Sequence, residues 1–205
     1  DSDPDPAIIN RNQSKENLKS HRSKKLSKIL QPKKSQHDSG LWTELKAKLP
    51  WKKTKEDLEL RKKQWNQLDI NGNGLLSLAE IDKGMQDVIK LPALFDTKPV
   101  MMRAFQAAKD KVQSKSEHGA DYVEKKEYRY LLKYLRQYFE YWVAFDRVDA
   151  DGDRRVSFEE FAGAKEQLAK WGVDMSDPEA SWRACDADGG GQVLFDEFAS
   201  WAIKQ

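Results

Sequence analysis

Asp69-Ile-Asn-Gly-Asn-Gly-Leu-Leu-Ser-Leu-Ala-Glu80 is the stretch whose reading decides the fold of this chain. Side-chain oxygens recur at its first, third, fifth and ninth residues, Asp69, Asn71, Asn73 and Ser77, and Glu80 closes it with a carboxylate. A Ca²⁺ ion takes about six to eight oxygens, and a twelve-residue loop supplies them from positions 1, 3, 5, 7, 9 and 12, with a backbone carbonyl at 7, a bidentate Glu at 12 and Gly at 6 for the turn. Leu75 stands where the carbonyl is needed and Gly74 where the turn is needed. Leu76, at position 8, is the apolar residue that bridges to a partner loop. Before the loop, Leu58, Trp65 and Leu68 are inward candidates of a helix that Thr54 caps ahead of Glu56 and Asp57. After it, Ile81, Met85, Val88 and Ile89 continue at helical spacing from Leu78. A plain Asn-Gly turn requires neither the two helices nor Glu80, so the segment reads as a helix–loop–helix EF-hand.

Two further loops follow the same rule with different strengths. Asp149-Ala-Asp-Gly-Asp-Arg-Arg-Val-Ser-Phe-Glu-Glu160 offers Asp149, Asp151, Asp153, the carbonyl of Arg155, Ser157 and Glu160. Its four carboxylates against two in the first loop predict tighter binding. Arg154 occupies the turn position, where a positive φ costs a side-chain-bearing residue on the order of 1 kcal/mol. Asp186-Ala-Asp-Gly-Gly-Gly-Gln-Val-Leu-Phe-Asp-Glu197 keeps Asp186, Asp188, the carbonyl of Gln192 and Glu197. Gly190 removes the fifth-position ligand, Leu194 cannot assist at the ninth, and three consecutive glycines raise the entropy of ordering the loop. A fourth unit, Ser116 to Glu127, shows only in its spacing. Ser116, His118 and Ala120 provide too few oxygens for Ca²⁺, and the expected role is structural, with Val123 facing Leu76 across the first pair. Val156 and Val193 are expected to face each other across the second.

The fold class that follows is all-α: four EF-hand units in two pairs, with a basic N-terminal tail. A short helix through Trp42, Leu45 and Leu49 stops at Pro50. Pro92 and Pro99 bracket a linker before a helix holding Met101, Met102, Phe105 and Ala108. A stretch without Pro or Gly from Glu127 to Val148 reads as one long helix or two nearly continuous ones. Phe161, Leu168 and Trp171 line a helix ended by Gly172, and Ser176-Asp-Pro-Glu179 offers a capping box to the next. The domain expectation is a tail over 1–40, a first pair over 41–135 and a second over 136–205.

Residues 1–40 carry nine Lys/Arg against five Asp/Glu, so the whole chain's net +2 leaves the remainder at −2. The tail reads as disordered, or as a helix with Leu18, Arg22, Leu26, Ile29 and Leu30 on one face, ended by Pro32, that forms on an acidic surface. That surface would be anionic lipid or an acidic protein. No apolar run approaches the roughly 20 residues of a transmembrane span, no secretory signal stands at the start, and no nucleic-acid partner is expected. The one cysteine, Cys185, forms no internal disulfide and fits a reducing compartment. Enzyme readings find no support: there is no phosphate-binding loop, and the carboxylate clusters are accounted for as calcium ligands.

Beyond the loops, the chain resembles the calflagins, flagellar calcium-binding proteins of trypanosomes and their relatives. The resemblance covers about residues 41–203. It rests on Leu41-Trp-Thr-Glu-Leu-Lys-Ala-Lys-Leu-Pro50, Ala104-Phe-Gln-Ala-Ala108, Glu127-Tyr-Arg-Tyr-Leu-Leu132 and Phe145-Asp-Arg-Val-Asp-Ala150. It rests also on Trp171-Gly172, Asp177-Pro178 and Phe195-Asp-Glu-Phe-Ala-Ser-Trp201, and a large residue at the turn of the third loop looks like the family too. It implies a location in a flagellum or cilium, at the axoneme or the cytoplasmic face of the flagellar membrane, and a calcium-sensing role. Calflagins are similar in carrying a Met-Gly-Cys acylation signal; this sequence begins at Asp1 without one, so either the encoded start is missing or this is a relative without lipid, and the resemblance does not carry the anchor over. The leading expectation is a sensor that exposes an apolar groove to a dedicated protein partner. The alternatives are a structural component of the axoneme with the hands as scaffold, and a calcium buffer.

Overall fold

The computed structural model describes residues 36–95, 97–111 and 121–205. The expected helical face of Leu18 to Leu30 and the residues Ser116, His118 and Ala120 lie outside them. The described residues fall into two compact units divided between Phe145 and Asp146. Both are helical, and each contains one two-stranded antiparallel ladder.

The first unit opens with α1 (Gln36–Lys48), which starts earlier than the end of the expected tail. Lys46 and Lys48 in its last turn suit the negative end of the helix. Leu45 and Leu49 are fully buried, and the Trp42 ring meets that of Phe139 edge-on at 6.0 Å. The carbonyls released at the end of α1 are met by α2 (Lys55–Leu68): Gln64 Nε2 donates to Lys48 O at 2.8 Å and Arg61 Nη1 to Pro50 O at 2.9 Å. Thr54 caps α2 as expected, its hydroxyl accepting from Asp57 N–H at 3.2 Å. Leu58 is a correction. It is 43% exposed, because the packed face of α2 begins only at Arg61.

The first loop leads through β1 (Leu75–Ser77) into α3 (Leu78–Gly84). The expected helix over Leu78 to Ile89 changes pitch. Met85–Ile89 is a π-helical turn closed by Lys90 N–H on Met85 O at 2.9 Å, with Lys90 in the left-handed region at φ 52°. The wider turn brings Leu91 into the core, where it is fully buried. The expected linker holds a short helix, α4 (Pro92–Phe95), and Pro99 stands inside α5 (Lys98–Lys111) rather than ahead of it. The first turn is where a missing N–H costs nothing. β2 (Tyr122–Glu124) pairs with β1 and sets Leu76 opposite Val123, both fully buried, as the spacing of the degenerate unit requires. α6 (Lys125–Val148) is one continuous helix. The Trp65 and Tyr128 rings meet edge-on at 5.4 Å, which ties α2 to α6.

In the second unit β3 (Val156–Ser157) pairs with β4 (Gln192–Val193), and Val156 faces Val193. The helix expected through Phe161 to Trp171 breaks at Ala164 into α7 (Phe158–Gly163) and α8 (Lys165–Lys170). Its end is as expected: Gly172, at φ 87°, donates to Ala169 O, and Val173 N–H reaches back to Leu168 O. α9 (Pro178–Cys185) is capped by Asp177, which accepts from Ala180 N–H at 3.0 Å, not by Ser176. Pro178 fixes the first helical position and so fixes the cap one residue later than the capping box would. α10 (Phe195–Ala202) closes the unit. Phe161 sits between Trp182 at 5.5 Å and Trp201 at 5.4 Å, an aromatic core drawn from α7, α9 and α10.

Candidate metal centres

Three loops share one backbone. Positions 4 and 6 have positive φ in each: Gly72 (69°) and Gly74 (77°), Gly152 (75°) and Arg154 (68°), Gly189 (72°) and Gly191 (75°). Arg154 therefore adopts the left-handed conformation that two glycines supply elsewhere, at a cost of about 1–2 kcal/mol.

This backbone turns amides onto the acidic side chains in a repeated order. The first-position carboxylate accepts from the sixth N–H: Gly74 on Asp69 Oδ2 at 3.0 Å, Arg154 on Asp149 Oδ2 at 3.0 Å, Gly191 on Asp186 Oδ2 at 3.2 Å. The third side chain accepts from the fifth N–H: Asn73 on Asn71 Oδ1 at 2.9 Å, Asp153 on Asp151 Oδ1 at 3.0 Å, Gly190 on Asp188 Oδ1 at 2.8 Å. Asn73 and Asp153 accept in turn from Leu75 and Arg155 N–H, at 2.9 and 2.8 Å. Gly190 leaves that bond unmade in the last loop. Each bond fixes one oxygen's direction and leaves lone pairs for a cation.

The closing glutamates are held twice. Oε2 of Glu80, Glu160 and Glu197 accepts from the ninth-position N–H, at 2.9 Å from Ser77, 2.8 Å from Ser157 and 3.2 Å from Leu194. The Ser77 and Ser157 hydroxyls complete capping boxes on α3 and α7. Leu194 has no such hydroxyl and is 52% exposed. Oε1 reaches back across each loop, to Asn71 Nδ2 at 3.2 Å, to Ala150 N–H at 2.9 Å and to Asp188 N–H at 3.3 Å.

The donor set fits a hard cation. Asp69 Oδ1 and Asp186 Oδ1 are buried with no hydrogen-bond partner. An unmet buried acceptor costs about 1–3 kcal/mol, so a ligand role explains why it persists. Carboxylate oxygens of Asp149, Asp151 and Asp153 lie within 4.8 Å of one another, as do those of Asp186, Asp188 and Glu197. Burial pushes the Asp149 carboxyl above its ordinary value, and the negative charges of Glu160 and Asp153 push it the same way. Desolvation also raises Glu160, but the N–H and hydroxyl of Ser157 and the N–H groups of Ala150 and Asp151 outweigh it, and its carboxyl lies below the usual value. Oxygen donors and no sulfur or imidazole select calcium over the softer metals.

Two features carry no signature in the spacing. Arg155 Nη1 donates to Gln192 Oε1 at 2.7 Å, tying the seventh positions of the paired loops together. Lys109 Nζ lies 3.1 Å from Glu127 Oε2, inside the first unit.

Residues 45–135 match the FCaBP EF-hand domain. The flagellar calcium-binding protein TB-24 of Trypanosoma brucei brucei is 36% identical over 168 residues, which cover 80% of this chain and 76% of that protein. The flagellar calcium-binding protein of Trypanosoma cruzi is 34% identical over 165 residues, 78% of this chain and 77% of that one. Among solved structures, calcium-loaded apo-aequorin from Aequorea victoria is similar at 22% identity over 69% of this chain and 85% of that chain, with a TM-score of 0.28. The matched EF-hand domain and the oxygen-only loops make Ca²⁺ the cofactor. A relative so similar over three quarters of its own length establishes that this chain belongs to the flagellar calcium-binding proteins, the calflagin family of EF-hand proteins.

Proposed function

We propose that the chain is a flagellar calcium sensor that acts on a protein partner. Ca²⁺ would be held by Asp69, Asn71, Asn73, Leu75, Ser77 and Glu80, by Asp149, Asp151, Asp153, Arg155, Ser157 and Glu160, and by Asp186, Asp188, Gln192 and Glu197. The observation that carries the sensor reading is the adjacency of Glu160 to Phe161, the ring packed between Trp182 and Trp201. A cation that draws the Glu160 carboxylate shifts the first turn of α7, and Phe161 moves with it. The core of the second unit then repacks, which a buffer would not require. Flagellar location is supported by the family's relatives, which bear that description.

A partner segment with apolar side chains fits the second unit better than the first. In the first, the chain's own α1 is held on the hand by Gln64 and Arg61, with Leu45 and Leu49 fully buried. The excess positive charge of residues 1–40 supports a separate contact with an acidic surface, tubulin or anionic lipid. That same charge favours the second reading, an axonemal component with the hands as scaffold. The acidic groups are read as calcium ligands, with no catalytic role. Calcium titration followed by tryptophan emission and by binding of an apolar dye separates these readings. The sensor gives a saturable change in both that Glu160→Gln removes from the second unit. Calcium binding without either change would overturn it in favour of the buffer or the scaffold.

A further inference from the structure

Glu127 occupies the closing position of the degenerate unit, and its carboxylate is held as those of the other three closing glutamates are. Its Oε2 accepts from Glu124 N–H at 2.8 Å, the bond that Glu80, Glu160 and Glu197 take from their own ninth-position N–H groups. What differs is a lysine set on the carboxylate. Lys109, in the last turn of α5, sets its ammonium 3.1 Å from Oε2 and 3.3 Å from Oε1, bridging both oxygens of the carboxylate. The Lys109 and Glu127 side chains are 7% and 1% exposed, so the pair is withdrawn from water. A buried carboxylate without a partner is strongly destabilising, and a buried ammonium likewise. Each group therefore depends on the other.

We propose that Lys109 is a tethered cation that takes the place of calcium in the second hand. It holds Glu127, and through Glu124 the β1–β2 ladder, in the closed arrangement whatever the calcium level. Glu124 pairs with Leu75, the carbonyl position of the first loop, so β2, the strand that Lys109 secures, is the direct partner of β1, the strand that presents a ligand of the loop from Asp69 to Glu80. The consequence, which rests on the calcium reading of that loop, is an asymmetric sensor. The first pair responds through one loop backed by a permanently closed neighbour. The second pair couples two loops that both require the ion.

The test is a thermodynamic cycle on the full chain in EDTA with Lys109→Met, Glu127→Gln and the double variant. Lys109→Met is expected to lower the melting midpoint by about 10 °C, since it leaves a buried charge unpaired. Adding Glu127→Gln should recover most of that loss, and Lys109→Arg should stay near the parent. No loss, or a loss that Glu127→Gln does not reverse, overturns the proposal. These readings need no calcium, so they stand or fall apart from the calcium reading. The second readout is the first loop's calcium affinity with Glu160→Gln and Glu197→Gln silencing the second unit. There Lys109→Met should weaken binding about tenfold through the disordered ladder. Unchanged affinity would show that the lysine stabilises the fold without serving the loop, and would overturn its role as a surrogate ion.

Discussion

The loops Asp149–Glu160 and Asp186–Glu197 face each other across one ladder, share one backbone and differ in what their side chains add to it. In the first, every amide turned inward finds a side chain: Asp153 accepts from Arg155 N–H, and Ser157 forms the capping box with Glu160. In the second, Gly190 and Leu194 leave both of those places without a polar group, and Asp186 Oδ1 is buried without a partner. The better-furnished loop is also the one with the worse turn residue, Arg154 at φ 68°, where its neighbour has Gly191 at 75°. Backbone conformation is thus set by the hydrogen-bond pattern of the loop as a whole, and a single unfavourable residue is carried along by it.

Charge should dominate the difference. Glu160→Gln removes a bidentate carboxylate from the four-carboxylate loop and should weaken its calcium affinity on the order of 100-fold, read by calorimetry. Equal affinity after that change would break the comparison at its root. Gly190→Asp restores the fifth-position ligand. A Cβ there would meet Asp188 Oδ1 at 2.8 Å, so that side chain must turn slightly, towards the arrangement in which Asp151 accepts from Asp153 N–H at 3.0 Å in the neighbouring loop. The expected outcome is calcium binding at Asp186–Glu197 tightened about tenfold, towards that of its neighbour. Leu194→Ser replaces an exposed apolar residue by the capping hydroxyl of the other loops and should stabilise the chain by about 1 kcal/mol in chemical denaturation. Arg154→Gly is the smallest. It removes the left-handed penalty but loosens the unfolded chain, so the gain should stay under about 1 kcal/mol.

The loops were legible because each calcium position demands a residue type at a fixed offset, and a backbone that follows from the offsets. Leu76 opposite Val123 and Val156 opposite Val193 followed from the same count. The failures lie where neighbours in space decide. Leu58 has the periodicity of a core residue, but the packed face of α2 starts one turn later at Arg61. Pro99 reads as a breaker until its helix is seen to start one residue before it. The pairing of Lys109 with Glu127 joins the end of one helix to the start of another, and no local pattern distinguishes that lysine from the exposed ones around it. Of the candidate loop residues, types and positions could be read from the sequence; the unmet oxygens of Asp69 and Asp186 could not.

The most direct test of the central claim is the number of calcium ions bound, counted by calorimetry on the full chain. Three oxygen-lined loops predict three ions, falling to two in each of Glu80→Gln, Glu160→Gln and Glu197→Gln when measured at concentrations below the weakened affinity. A count that does not change with any of these substitutions would contradict the assignment of calcium to these loops.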